Sequence, residues 1–134
     1  MQFTKINKSR HAAYVLHVHL VFITKYRKPI LGELHHASFG QYAAEVCRDF
    51  GAELKECDGE ADHVHMLIEY GPTVQLSVLV NSLKAVTSRR LRNEFLDLRG
   101  AYSKPVLWSR SYFVGSCGGA PLEVIKQYIQ NQRG

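Results

Sequence analysis

The segment from Tyr14 to Thr24, YVLHVHLVFIT, constrains the possible folds of this chain more than any other stretch. It is rich in β-branched and aromatic residues, which favours a strand. At the period of two, Tyr14, Leu16, Val18, Leu20 and Phe22 share one face, and Val15, His17, His19, Val21 and Ile23 share the other. Apolar residues on both faces predict a central strand whose second surface is at least partly covered. The chain has 134 residues, enough for one domain with a real core and too few for several.

The remaining pattern supplies the rest of a sheet and its cover. Residues 1–12 are polar and basic and read as an arm. KYRKP, residues 25–29, is a basic turn, and an apolar stripe of Leu34, Ala37, Phe39, Ala43, Val46 and Phe50 predicts a helix over 33–50, stopped by Gly51. Strands are expected over 52–58 and 63–69, paired as a hairpin with a turn at Asp58-Gly59. Leu76, Leu79, Val80, Leu83, Val86, Leu91 and Phe95 predict one long helix over 74–98. A last strand covers 107–115. Residues 116–121, SCGGAP, form a glycine-containing linker to a final helix at about 120–132, with Pro121 near its start. The order strand, helix, strand, strand, helix, strand suits an α+β layer sandwich, an antiparallel sheet with two helices on one face. The final helix lies outside that unit.

Charge and cysteine usage narrow the function. Seventeen Lys and Arg against 12 Asp and Glu give a formal charge of +5, which mildly favours an anionic partner such as nucleic acid. Cys47, Cys57 and Cys117 are odd in number and lack CxxC spacing, so neither a disulfide framework nor a cysteine zinc site is expected. No segment reaches a membrane-spanning apolar length, and the N-terminus lacks the pattern of a secretory signal, so a cytoplasmic protein is expected.

The chemistry concentrates in two short motifs. His63-Val64-His65 places two imidazoles on one face of a strand, with Val64, Met66 and Ile68 directed to the other. Imidazoles suit borderline divalent ions, but two leave most of a coordination shell open. On a solvated strand face they would also be ordinary surface residues. Tyr128 and Gln132 are four apart on the final helix, so their side chains are neighbours. Gln132 can offer an amide oxygen to a metal and Tyr128 a phenol. By themselves they equally suit a half-buried tyrosine and an exposed terminal glutamine. Combined, the motifs suggest metal-assisted attack of the Tyr128 oxygen on a DNA phosphodiester, leaving a covalent link that a second strand end can resolve without ATP. The phenol, with an ordinary pKa of about 10, needs a proton acceptor that the sequence does not identify.

At these residues the chain resembles the small single-tyrosine HUH transposases of the IS200/IS605 insertion sequences. His63-Val64-His65 matches that family's histidine motif, and YIQNQ matches its tyrosine helix. HLVFITKYRKPIL (19–31) and LWSRSYFVGSCGG (107–119) resemble its first strand with basic turn and its last core strand with glycine linker. The resemblance spans nearly the whole chain. It implies a ferredoxin-like or RNA-recognition-like HUH nuclease core over 1–134 with an added helix bearing the tyrosine. It further implies Tyr128 as nucleophile and His63, His65 and Gln132 as ligands of Mg2+ or Mn2+, with no nucleotide cofactor. The partners implied are single-stranded DNA with subterminal hairpins and a second copy of the chain. A 5′-phosphotyrosine intermediate would serve excision and insertion. Gly115, Gly118 and Gly119 would then suit a hinge that lets Tyr128 act in cis or in trans.

Around this centre other residues have lesser claims. Asp62 can enter the metal shell, orient a ligand, or simply begin the strand; Glu60 has a weaker claim of the same kind. His17 and His19 are expected to pack or face the surface rather than join the metal. His11, His35 and His36 show no comparable arrangement. Lys25, Arg27 and Lys28 in the turn, and Lys84, Arg89, Arg90 and Arg92 on the long helix, are candidate DNA-phosphate contacts, with Lys84, Ser88 and Arg92 on one face. Lys5, Lys8 and Arg10 can extend this surface. Tyr26, Phe39 and Trp108 can stack on bases, although packing is expected for Phe39 and Trp108. Alternative functions are a host-adapted nuclease acting on chromosomal repeats, a noncatalytic nucleic-acid-binding module, or an inactive relative.

Overall fold

The predicted central strand is central because its neighbours saturate it on both sides. The computed structural model describes residues 7–8, 13–14, 16–116 and 129–131. A short antiparallel pair, β1 (Asn7–Lys8) and β2 (Ala13–Tyr14), stands where a simple arm is expected. β3 (Leu16–Thr24) follows, then a tight turn at Lys25–Arg27 and α1 (Glu33–Asp49). β4 (Glu53–Glu60) and β5 (His63–Tyr70) form the hairpin. α2 (Leu76–Glu94), a short α3 (Leu96–Arg99) and β6 (Trp108–Ser116) complete the core. The sheet is antiparallel in the order β4-β5-β3-β6. The expected α+β architecture, one antiparallel sheet with two helices, is the one observed.

One sheet face is sealed by α1 and α2. Val18, Leu20, Phe22, Val64, Met66 and Ile68 pack there with Phe39, Val46, Leu79, Leu83 and Leu91. Phe22 lies at the aromatic centre, with ring centroids 5.6 Å from Trp108 and 6.5 Å from Phe39. Trp108 and Phe39 are core residues, as expected, and the Trp108 indole N–H donates to Thr87 Oγ1 at 3.0 Å. The opposite face carries His17, His19, Val21 and Ile23 beside His63 and His65. In the register, Val21 is paired with His65 and Ile23 with His63. Val21 and Ile23 are nevertheless fully buried, because Ile129 from the C-terminal segment packs on them with Phe113 alongside.

Three local expectations are revised. Asp58 and Gly59 belong to β4, and the reversal falls at Ala61-Asp62. Gly59 serves close approach rather than a turn: a Cβ there would lie 2.2 Å from the His63 carbonyl oxygen and 2.9 Å from Val64 Cα. The long helix breaks at Phe95, whose extended backbone (φ −118°, ψ 114°) lets its ring meet His35 edge-on at 4.6 Å and lets Leu98 become fully buried. Tertiary packing overrides helical periodicity there. Gly115 is a paired residue of β6 opposite His19, so it is strand and not hinge. Finally, Tyr26 (φ 61°) and Arg27 (φ 54°) take left-handed backbone, which costs about 1–2 kcal/mol per non-glycine residue. The expected residues Tyr128, Gln132, Cys117, Gly118, Gly119, Lys5, Arg10 and His11 lie outside the described residues, as does most of the 120–132 helix.

Candidate active site

The strand parity that buries Val64 and Met66 necessarily sends His63 and His65 to the opposite face, where both remain partly exposed. Asp62, in the two-residue reversal, accepts a hydrogen bond from His63 Nδ1 at 3.0 Å through Oδ1. Its Oδ2 accepts from Arg27 Nε at 3.2 Å, with Arg27 Nη2 at 3.1 Å. Both carboxylate oxygens are thus committed to orienting contacts. Burial by itself would raise the Asp62 pKa, but the hydrogen bonds and charges of His63 and Arg27 outweigh it and hold the group below the ordinary carboxylate range. With His63 Nδ1–H donating to the carboxylate, Nε2 keeps its lone pair free, the arrangement common to metal-binding histidines.

His65 has a different partner. Its Nε2 lies 2.9 Å from His19 Nδ1, and the two rings stack with centroids 5.1 Å apart and 15° between planes. Burial, then the neighbouring His65, keep the His19 pKa below the ordinary imidazole value, with Glu56 acting in the opposite sense. His19 therefore packs, as expected, and the residue it packs on is His65. The signal was available in strand parity, since His19 shares a face with Val21, which pairs with His65. His17 packs as well: it is buried and its Nε2 sits 3.2 Å from the buried Glu69.

Arg27 reaches further. Its Nη1 donates to the Gln130 carbonyl at 2.7 Å, which joins the basic turn to the C-terminal segment. Arg27, Glu56, Asp58, Asp62, His63 and His65 line a cleft of about 700 Å³ together with Ile129 and Gln130. The cleft gathers two imidazoles and several carboxylates, a donor set that suits a divalent cation. Among the described residues, however, no group of three or more His, Cys, Asp or Glu side chains forms a complete metal cage. A two-histidine site needs a further ligand, and the candidate Gln132 lies outside the described residues.

The basic residues separate by environment. Lys84, Ser88, Arg89 and Arg92 line a groove of about 520 Å³ beside Trp108. Lys84 caps the Ser109 and Arg110 carbonyls at 2.8 and 3.1 Å; burial, then Arg110 and Lys25, lower its pKa. Arg90 turns away to pair with Glu45 at 3.0 Å and stack on Tyr42. Lys25 and Lys28 line a second hollow with Tyr26, whereas Arg27 belongs to the histidine cleft. His35 caps α1 by accepting from the Gly32 N–H, and His36 meets the Glu60 carbonyl.

Comparison with known proteins gives the family. The family described as "Transposase IS200 like" matches residues 12–132. The chain is 30% identical over 122 residues to the transposase for insertion sequence element IS200 of Salmonella typhimurium, covering 91% of this chain and 80% of that one. It is 26% identical over 129 residues to the ISDra2 transposase TnpA of Deinococcus radiodurans, covering 96% and 91%. A crystal structure of a chain assigned as a transposase from Deinococcus radiodurans superimposes with a TM-score of 0.83 at 28% identity, covering 96% of this chain and 98% of that one. A REP-associated tyrosine transposase bound to a REP hairpin shares the fold alone, with a TM-score of 0.56 and 10% identity. The sheet order, the histidine face of β5 and these matches over nearly the full length place the chain in the IS200-like transposase family.

Proposed function

We propose that this family member is a metal-dependent single-stranded DNA transposase that cleaves and rejoins insertion-sequence ends through a 5′-phosphotyrosine intermediate. The observation that carries the reading is the single cleft that brings His63, His65 and Asp62 together with Ile129, the residue following Tyr128 in sequence. His63 and His65, with Gln132, would hold Mg2+ or Mn2+. A cation bound there would polarise the scissile phosphate and offset charge in the transition state. Asp62 holds the His63 ring in the tautomer that leaves Nε2 free, and Arg27 fixes Asp62. Arg27 also anchors the Gln130 carbonyl, which steadies the segment that carries the nucleophile.

In the proposed step the Tyr128 oxygen forms a bond to phosphorus, the bond from phosphorus to the 3′ oxygen breaks, and the departing strand keeps a 3′-hydroxyl. A 3′-hydroxyl from another end then attacks the phosphotyrosine and releases Tyr128. Lys84, Arg89 and Arg92 would contact phosphates along the α2 groove, positioning DNA without reading bases. A second copy of the chain would pair along β6. Within the described sheet, β4 forms one edge and carries Glu53, Lys55, Glu56, Asp58 and Glu60, which disfavour edge pairing. The β6 edge is less charged, with Val114 half exposed.

The test is covalent-adduct formation on single-stranded DNA spanning each element end, with Mg2+ or Mn2+ against chelator. The expected result is a metal-dependent adduct that disappears in Tyr128→Phe. Tight binding to verified ends without an adduct would instead establish a binding-only protein.

A further inference from the structure

The turn that delivers Arg27 to the histidine cleft also builds a second feature on its other side. Lys25, Tyr26 and Lys28 line a hollow of about 380 Å³, closed by Tyr102, Ser103 and Lys104 of the loop after α3. Tyr26 is 64% exposed. Its ring lies 6.3 Å from that of Tyr102, and the lysine ammonium groups sit against both: Lys25 is 5.3 Å from the Tyr26 centroid and Lys28 is 4.8 Å from that of Tyr102. Lys28 donates to the Ala101 carbonyl at 2.7 Å and the Tyr102 hydroxyl donates to the Lys25 carbonyl at 2.6 Å, so turn and loop are tied together. Every charged side chain lining the hollow is a lysine.

We propose that this hollow seats one unstacked base of a bound single DNA strand, with Tyr26 and Tyr102 as aromatic walls and Lys25, Lys28 and Lys104 against the flanking phosphates. Aromatic faces interleaved with cations suit a ligand that presents both a π-face and anionic charge, as a nucleotide within a strand does. The backbone supports the same assignment. Tyr26 and Arg27 are the only non-glycine residues with positive φ among the described residues, and the adjacent pair sends one side chain out to the hollow and the next to Asp62. Strain of this kind persists where surrounding contacts impose it, commonly at sites of binding. Consecutive residues of the same turn therefore line both the hollow and the histidine cleft, Lys25, Tyr26 and Lys28 the first, Arg27 and Pro29 the second. A base captured at Tyr26 would set the register of the strand relative to His63. The assignment rests on the single-stranded DNA reading above.

The test measures binding of a fluorescent 12-nucleotide oligo(dT) and of a same-length strand built entirely of abasic sites, with free dTMP as competitor. Wild type is expected to prefer the base-bearing strand by about tenfold, the order expected of base–aromatic stacking. Tyr26→Leu and Tyr102→Leu should each abolish that preference and leave abasic-strand binding unchanged. Lys25→Gln and Lys28→Gln should weaken both strands alike. Tyr26→Gly, which suits the left-handed backbone, should melt no lower than wild type yet lose the preference, which separates folding from binding. No preference in wild type, tyrosine variants that retain it, or equal loss on both strands would overturn the proposal. Displacement of the strand by dTMP at concentrations close to those of oligo(dT) would assign the hollow to free nucleotides instead and overturn it too. The Tyr128 adduct is read separately: its absence with the base preference intact removes the catalytic reading alone.

Discussion

Asp62 shows how much a single side chain can hold together. It bonds His63 with one oxygen and Arg27 with the other, so Asp62→Asn should leave the fold intact while weakening metal-dependent activity by about 10- to 100-fold, the usual cost of losing an orienting partner behind a metal-binding histidine. Titration of activity with Mn2+ would show this as a higher metal requirement, and an unchanged requirement would remove the orienting role. The two described thiols, Cys47 buried and Cys57 half-buried, behave oppositely. Burial, then Cys57, pushes Cys47 from 9.0 up to about 12, and burial, then Asp58, does the same for Cys57. Their raised values mean that their contribution to stability is complete below about pH 9 and is lost as pH climbs from there toward 12. Native protein at pH 8 should therefore leave both thiols largely unreacted with iodoacetamide, and rapid alkylation at either position would contradict the raised values.

Elements meet through a few contacts whose removal has calculable effects. The Thr87 hydroxyl donates to the Leu83 carbonyl and accepts the Trp108 indole N–H, joining α2 to β6 inside the core. Thr87→Val keeps the shape but strands that N–H, and should lower unfolding free energy by about 1–3 kcal/mol in urea denaturation. Gly59→Ala should be worse for the β4–β5 hairpin, because its Cβ meets backbone rather than a yielding side chain; the expectation is loss of activity together with a lower melting temperature. Along α2 the arginines should differ. Arg89→Gln, at an exposed groove position, should weaken DNA binding and reduce its salt slope by about one unit. Arg90 is engaged with Glu45 and Tyr42, and its replacement should leave that slope unchanged. Helical spacing put Lys84 and Arg92 on one face, but that Arg90 is taken by Glu45 and Tyr42 follows only once α1 is docked.

At the scale of the whole molecule, two described contacts join residues 129–131 to the sheet and the basic turn. Ile129 packs on Val21 and Ile23, and Arg27 holds the Gln130 carbonyl. Ile129→Ala removes that apolar contact and should reduce adduct formation strongly while leaving the core formed by the two helices folded, as read by adduct yield beside the melting transition. A large global destabilisation would mean that the segment belongs to the core. Much of this arrangement was legible beforehand. Alternation in YVLHVHLVFIT identified the central strand, helical periodicity identified both covering helices, and the spacing of His63-Val64-His65 put both imidazoles on the sheet face opposite the helices. Local backbone sterics and side-chain periodicity set those features residue by residue, so one chain of letters suffices. The partnership of His19 with His65, the split of one turn between two sites, the break at Phe95 and the close approach at Gly59 were decided only by tertiary structure. Each depends on which strand or helix lies alongside, and spacing within one segment carries no information about distances across a sheet.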